Sequence, residues 1–193
     1  MKLFTHYVIT SFSYPDDYAH LEKRVALLSL SDACLRRQTC QRFRRLIIPR
    51  EGIAELVRGY VRKHTETPWV LTTRLDSDDQ ISPQFVEKIQ AAFRSRLELI
   101  DWEGYRLDVQ TEQVAKSSAI RGSMFQTLSE PTAEAVGVYH ARHGEMPGLF
   151  PYRRHPERLW CVVCHDTNLI NSFTGYVAGP TVDRPAWATV PKL

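Results

Sequence analysis

The pattern of apolar and polar positions predicts an alternation of strands and helices in the first half of the chain. Dense runs of apolar and β-branched residues indicate buried strands, and apolar residues at helical spacing indicate amphipathic helices. The strands are expected at residues 3–12, 42–49 and 69–75. The helices are expected at residues 18–37, as one helix or as two, and at 50–64, where Ile53, Leu56, Val57 and Tyr60 should face inward. This alternation is typical of a parallel sheet with crossover helices.

The third of these strands leads directly into an acidic turn. Asp76, Ser77, Asp78 and Asp79 follow the apolar run 69–75, so three carboxylates fall within four residues. Ser82 has the character of an N-cap and Pro83 that of a first helical residue, which predicts a helix behind the turn. Its buried face should carry Phe85, Val86 and Ile89. A strand that ends in polar groups and is followed by a helix places those groups where α/β sheets bind their ligands.

Carboxylates this close together repel one another unless a cation or protons neutralise them. A hard divalent ion such as Mg²⁺ or Mn²⁺, which also holds substrate phosphates, would supply that charge. Three other interpretations compete with this one. The turn could be a solvated loop with a helix cap, or a phosphoaspartyl site, although Gln80 and Ile81 are not the small turn residues expected there. A calcium loop would gain Glu87 at its twelfth position, but Ile81 stands at the sixth, which requires glycine.

The second half of the chain has shorter apolar runs, which predict antiparallel strands. A hairpin is expected from residues 97–102 and 105–109 around Glu103 and Gly104. Short strands are expected at 123–128, 135–140 and 158–165, and loops at 109–118 and at the proline-rich 144–156. The residues after Gly175 have too little pattern to assign. The predicted class is therefore α/β: a mixed, Rossmann-like sheet with helices on both faces, mostly parallel in the N-terminal half and antiparallel in the C-terminal half.

Composition and charge exclude several classes of protein. A length of 193 residues suits one domain with a sizeable core, and a net charge of +3 does not by itself indicate a nucleic-acid partner. No apolar run approaches the length of a membrane span, so a cytoplasmic protein, compatible with peripheral membrane association, is expected. Four cysteines are too few for a disulfide scaffold. Cys161, Cys164 and His165 spell C-x-x-C-H, but two strand cysteines are a better interpretation than haem attachment or a zinc site.

Several segments together resemble the nucleotide-diphospho-sugar glycosyltransferases of GT-A type, and more narrowly the rhamnosyl transferase family. The matching segments are HYVITSF (6–12), SLSDACLRRQTCQRFRRLII (29–48), WVLTTRLDSDDQISPQFVEKIQAAF (69–93) and LWCVVCHDTN (159–168). The most specific of them is TRLDSDD followed by a Phe-Val helix. The resemblance implies one GT-A-like domain in which residues 1–95 bind the metal and the nucleotide-sugar donor. It also implies an acceptor side at 96–175, followed by a tail at 176–193.

The resemblance also implies roles for particular residues. Asp76 and Asp78 would form the D-x-D element, in which Asp78 binds Mn²⁺ or Mg²⁺ and Asp76 lies nearer the ribose. Asp79 matches the extra acid that often follows, and His165 matches a C-terminal histidine that contacts the metal or the diphosphate. Asn168 belongs to the same motif as His165. Arg74 would order the carboxylates or meet the donor phosphate.

Transfer with inversion needs a carboxylate that takes a proton from the acceptor hydroxyl. The carboxylates downstream of the acidic turn are Glu130, Glu134, Glu145, Glu157 and Asp166. Glu130, which follows a predicted strand, is the favoured candidate for the base. An exposed carboxylate at the end of a strand is the competing interpretation for each of them.

One segment departs from the family pattern. In the family, the second strand usually ends in acidic residues that contact the nucleotide base, and a further strand precedes the D-x-D element. Here residues 50–68 leave room for one helix and no further strand. The leading hypothesis is a metal-dependent transferase that moves a sugar such as rhamnose to a glycan or another hydroxyl acceptor in polysaccharide biosynthesis. The alternatives are a catalytically silent binding or assembly module and, third, a nucleic-acid binder that uses the basic run Arg36–Arg50.

Overall fold

The computed structural model describes residues 2–12, 18–117, 121–165 and 178–191, and within them nine strands form one sheet. The strands are β1 (Phe4–Phe12), β2 (Arg44–Pro49), β3 (Trp69–Arg74), β4 (Gln80–Ile81), β5 (Glu98–Asp108), β6 (Val114–Ser117), β7 (Thr127–Pro131), β8 (Tyr152–Cys164) and β9 (Ala178–Val182). The helices are α1 (Tyr18–Arg36), α2 (Ile53–His64), α3 (Phe85–Ala92) and α4 (Met146–Leu149), with a 3-10 turn at Thr132–Glu134. Among the helices of these ranges, none is both long and apolar enough to cross a membrane.

The N-terminal half of the sheet is parallel. β1 lies between β2 and β3 and pairs with both in parallel register, so the carboxyl ends of β1 and β3 lie side by side. β7 then pairs antiparallel with β3 and with the start of β5. The remaining pairs, β5 with β6, β6 with β9, and β4 with β8, are also antiparallel. β5 and β8 are the exception in this half, because they pair in parallel.

Of the three hydrophobic cores in the described part of the chain, the two larger lie on opposite faces of the sheet. Successive residues of a strand point to opposite faces, so β1 contributes Val8 to one core and Ile9 to the other. The first core lies under α1 and α3 and includes Phe85 and Ile89. The second lies under α2 and includes Val57. The predicted α/β class, a mixed sheet with helices on both faces, is therefore confirmed.

α1 is one continuous helix, which is one of the two arrangements expected for residues 18–37. The other two helix predictions need corrections. α2 begins at Ile53, and its buried residues are Val57 and Val61, whereas Leu56 and Tyr60 are 47% and 39% exposed. α3 does include the predicted buried residues, but its N-cap is Gln84 and not Ser82, because Ser82 to Phe85 form a turn, closed by Phe85 N–H to Ser82 O at 3.0 Å, before the helix begins.

The predicted hairpin at 97–109 is wrong, because β5 runs unbroken from Glu98 to Asp108. The Glu103–Gly104 pair lies at a register shift between β5 and β8 and not at a turn. A Cβ atom on Gly104 would lie 2.1 Å from the Trp160 ring. Glycine is therefore needed here for close packing between two strands, a contact that local sequence does not reveal.

Other elements of the C-terminal half also differ from the predictions. Residues 109–118 were expected to be a loop but contain β6, and the strand expected at 123–128 lies instead at Thr127–Pro131. Residues 135–140 form irregular backbone and a turn rather than a strand. The expected loop at 144–156 contains α4 and the first residues of β8. The tail contributes β9, which pairs with β6.

Candidate functional site

The acidic turn lies at the carboxyl ends of β3 and β8. The backbone N–H of Leu75 donates to Ile9 O at 3.0 Å, which continues the pairing of β3 with β1 up to the turn. After the turn, Gln80 and Ile81 form β4 and pair antiparallel with Cys161 and Trp160. Because of this pairing, the last residues of β8 lie beside the acidic turn, although they come about eighty residues later in the chain.

Asp78 meets two nitrogen groups at one of its oxygens. Asp78 Oδ2 lies 3.3 Å from His165 Nε2 and 3.9 Å from Arg24 Nη1. Asp78 is 8% exposed, so this oxygen lies near the surface but is largely shielded from water. The predicted partners Asp78 and His165 are thus brought together, and Arg24 of α1 joins them.

Asp79 is fully buried and incompletely hydrogen-bonded. Its Oδ1 accepts the backbone N–H of Val163 at 3.0 Å, while Oδ2 is buried with no hydrogen-bond partner among the described residues. Burial raises the pKa of Asp79 well above its ordinary value, and the charges of Asp78 and Asp76 raise it further. An orphaned buried carboxylate oxygen is costly unless a proton or a cation stabilises it. This atom marks the turn as a place that favours added positive charge.

Asp76 pairs with Arg74, the last residue of β3. Arg74 Nε donates to Asp76 Oδ1 at 3.1 Å, and the guanidinium lies 4.9 Å from the centre of the Tyr139 ring. Although burial lowers the pKa of Arg74, the neighbouring Asp76 outweighs this effect, and the net pKa lies above its ordinary value. Tyr139 donates its hydroxyl to Ile9 O at 3.3 Å. Burial raises the pKa of that hydroxyl, so Tyr139 stays neutral at neutral pH.

The donor atoms of the turn fit a hard divalent ion with few protein ligands. Within the described ranges, no three His, Cys, Asp or Glu side chains are grouped so that they could hold a metal by themselves. Mg²⁺ in phosphate-handling sites commonly takes one or two carboxylates and fills its remaining positions with substrate phosphates and water. The residues that could hold such an ion are Asp78 and Asp76, with His165 at the edge, and the orphaned Asp79 oxygen is consistent with added positive charge there.

The structure does not bring Glu130 together with the acids. Glu130 pairs with Val70 near the start of β3, so it lies roughly 20 Å along the strand from the acidic turn. Its two oxygens accept the backbone N–H groups of Val136 and Gly137 at 2.7 and 2.8 Å. Burial raises the pKa of Glu130 to about 7. These contacts give Glu130 a role in holding the 136–137 backbone. Asn168, the other predicted donor-site residue, lies outside the described residues.

Two contributors to the site, Arg24 and Gln80, could not be identified from local sequence patterns. Arg24 is one of many charged residues in α1, and only the packing of α1 against β4 shows its position. Gln80, which is fully buried, bonds the C-terminal segment: its Nε2 donates to Thr189 O at 2.7 Å and its Oε1 accepts Thr189 N–H at 2.8 Å. Gln80 follows Asp79 directly, so the C-terminal segment braces the acidic turn from 109 residues away.

The C-x-x-C pair lies inside β8. Cys161 and Cys164 are both buried and free. Burial raises the pKa of Cys161 well above its ordinary value and that of Cys164 to about 11, so both remain thiols at neutral pH. Because the thiolate is the reactive form, these cysteines are structural.

The comparisons with known proteins are sparse. No protein-family model matches this chain, and no curated protein matches it. Among solved structures, S. aureus TarS matches with a TM-score of 0.46 at 11% sequence identity. The match covers 83% of this chain and 37% of TarS, so this chain spans little more than a third of that protein. A likeness this distant carries no information about activity.

Proposed function

We propose that this protein is a metal-dependent glycosyltransferase that moves a sugar from a nucleoside diphosphate to a hydroxyl acceptor. One observation carries the proposal: a strand end delivers Asp76, Asp78 and the orphaned Asp79 to one turn, where Arg24 and His165 meet Asp78. Structural ion pairs rarely leave a buried carboxylate oxygen without a partner. The turn is arranged to receive a cation and an anion together, which is what a metal-bound diphosphate provides.

Each side chain of the turn has a defined task in this proposal. Asp78 and Asp76 hold Mn²⁺ or Mg²⁺, and the bound ion neutralises charge on the leaving diphosphate. Arg74 fixes the position of Asp76 through its 3.1 Å bond. His165 contacts Asp78 Oδ2 at 3.3 Å, and the resemblance assigns the donor phosphates to His165 and Asn168. Asp79 anchors the turn to β8 through Val163.

The acceptor side is less defined. Glu130 is not part of the proposed machinery, because backbone N–H groups occupy both of its oxygens and it lies at the far end of β3. The resemblance to rhamnosyl transferases suggests rhamnose as the sugar, a glycan as the acceptor and polysaccharide biosynthesis as the setting. A cytoplasmic protein that associates with a membrane surface would suit such a reaction.

Donor hydrolysis and transfer by the purified chain test the proposal. A panel of nucleotide sugars is incubated with and without Mn²⁺, and the released nucleoside diphosphate is measured. We expect release from one donor that requires the metal, is lost in Asp78→Ala and is retained in Asp183→Ala, an exposed aspartate in the C-terminal segment. Retained turnover in Asp78→Ala would refute the assigned role.

A second candidate function rests on the connection between β2 and β3. That connection contains α2 and no further strand, as the spacing predicts, and β2 forms the edge of the sheet. The segment that would contact the nucleotide base, residues 50–68, is therefore short. If the chain binds metal and diphosphate but releases no product from any donor, a catalytically silent binding or assembly module is the better description.

Nucleic-acid binding through the basic run has weaker support. Arg36 and Arg45 both pair with Asp32, and Arg44 donates to His64 O. Part of the positive charge is therefore used within the fold.

A further inference from the structure

We propose that Arg24 is an exchangeable counter-charge: it pairs with Asp78 when no metal is bound and turns to the donor diphosphate when a metal occupies Asp78. This inference rests on the proposed function, because it assigns a role at the same site. It adds a residue of α1 to a site that the sequence placed on strand ends alone.

The geometry places Arg24 in competition with a metal. Its Nη1 lies 3.9 Å from Asp78 Oδ2, which is also the oxygen that His165 approaches at 3.3 Å. This distance of 3.9 Å allows a strong charge interaction between the guanidinium and the carboxylate, but it is too long for a good hydrogen bond. The side chain of Arg24 is 19% exposed and that of Asp78 is 12% exposed, so both are largely screened from bulk water.

The other acids of the turn do not share this arrangement. Asp76 has Arg74 as a bonded partner at 3.1 Å, and Arg74 is held in turn over the Tyr139 ring. Asp79 is buried and bonds a backbone N–H. Asp78 therefore differs from them in that one oxygen is approached by both an imidazole and a guanidinium, and the guanidinium lies farther away than a hydrogen bond.

Charge repulsion explains the exchange. A guanidinium and a divalent cation cannot share one carboxylate oxygen without strong mutual repulsion, so Arg24 must leave Asp78 when that oxygen binds a metal. The guanidinium remains within one side-chain movement of the turn. Its planar fork matches the oxygens of a phosphate, which makes an incoming diphosphate the natural new partner.

This exchange predicts effects of opposite sign for one substitution. Removing the Arg24 charge should favour Mn²⁺ binding in the absence of diphosphate, because the competing cation is gone. The same change should weaken binding of a metal-bound diphosphate, because a phosphate contact is lost. A merely structural role for Arg24 would weaken both or neither.

Isothermal titration calorimetry on the full chain measures the two affinities. The probes are Mn²⁺ alone and the preformed complex of Mn²⁺ with inorganic pyrophosphate, which does not require the nucleotide to be known. For Arg24→Gln we expect Mn²⁺ alone to bind about fivefold more tightly and the pyrophosphate complex about tenfold more weakly, as partly screened charge contacts allow. Arg58→Gln, which removes one exposed charge from α2, should change neither affinity.

A second variant protects the test against misfolding. Arg24→Lys keeps the competing charge but loses the planar fork, so Mn²⁺ alone should bind as in wild type while the pyrophosphate complex binds more weakly. If wild type binds the pyrophosphate complex and both Arg24 variants bind the two probes as wild type does, or weaken both equally, the inference about Arg24 is overturned and the proposed function stands. If wild type binds neither probe, the proposed function is refuted, and the inference about Arg24, which rests on it, is refuted with it.

Discussion

Substituting Gln80 tests whether the C-terminal segment supports the acidic turn. Gln80→Ala removes the two bonds to the Thr189 backbone and a third from the Thr189 hydroxyl to Gln80 Oε1 at 3.1 Å. A neutral hydrogen bond contributes about 1 kcal/mol net, and water can replace part of the lost bonding at the exposed Thr189. The two backbone bonds therefore predict a loss of about 2 kcal/mol in the free energy of unfolding. Thr189→Ala, which keeps both backbone bonds, should cost less than about 1 kcal/mol.

Urea unfolding and amide hydrogen exchange measure the two parts of this prediction. The unfolding midpoint reports the loss of stability, provided that the slope with denaturant is unchanged. Exchange at residues 183–191 should accelerate in Gln80→Ala and not in Thr189→Ala, because local opening no longer breaks bonds to Gln80. A Gln80→Ala variant within 0.5 kcal/mol of wild type, by the same ~1 kcal/mol scale for a hydrogen bond, would refute the reasoning. Unchanged exchange in the C-terminal segment would refute it equally.

Three further predictions follow from buried groups. Glu130 has a native pKa of about 7 against an ordinary 4.5, so its protonated form stabilises the fold below pH 4.5 and this contribution is lost as pH rises to 7. Across that pH window, the free energy of unfolding of wild type should therefore fall by about 3 kcal/mol relative to that of Glu130→Gln, as measured by urea unfolding. The same pH dependence in both proteins would contradict the raised pKa of Glu130. His6, whose pKa burial lowers to about 3, should contribute stability above pH 6.5 that is lost as pH falls toward 3, and His6→Gln should reduce that dependence in acid unfolding. Gly104→Ala should cost about 1–3 kcal/mol in thermal or urea unfolding, because the new Cβ overlaps the Trp160 ring; an unchanged midpoint would show that the ring can move.

The parallel half of the fold could be predicted because its strands are dense apolar runs. β1 and β3 are buried on both faces, so apolar and β-branched residues occupy nearly every position and identify the strands locally. β5 and β8 carry weaker local signals. Gly104 resembled a turn residue, yet it is required by contact with Trp160, 56 positions away in the chain. The first half of β8 is polar and only partly buried, so its strand conformation depends on pairing with β5.

The part of the candidate site that local sequence features define could also be predicted. The acidic turn and its position at a strand end are local features, and the pairing of β4 with β8 brings His165 to Asp78. Arg24 could not be found, because nothing in α1 distinguishes it from neighbouring charged residues. Gln80 and its bonds to Thr189 depend on how the C-terminal segment packs, which no local pattern encodes.

A thermal-shift titration with Mn²⁺ and a panel of nucleoside diphosphates, on wild type and Asp78→Ala, tests the central claim most directly. A ligand that binds the folded state raises its stability with the logarithm of ligand concentration over dissociation constant. The account predicts a metal-dependent rise in melting temperature with one diphosphate and no rise in Asp78→Ala. A protein that melts cooperatively but shows no shift with any diphosphate, or the same shift in the variant, would contradict a donor site at the acidic turn.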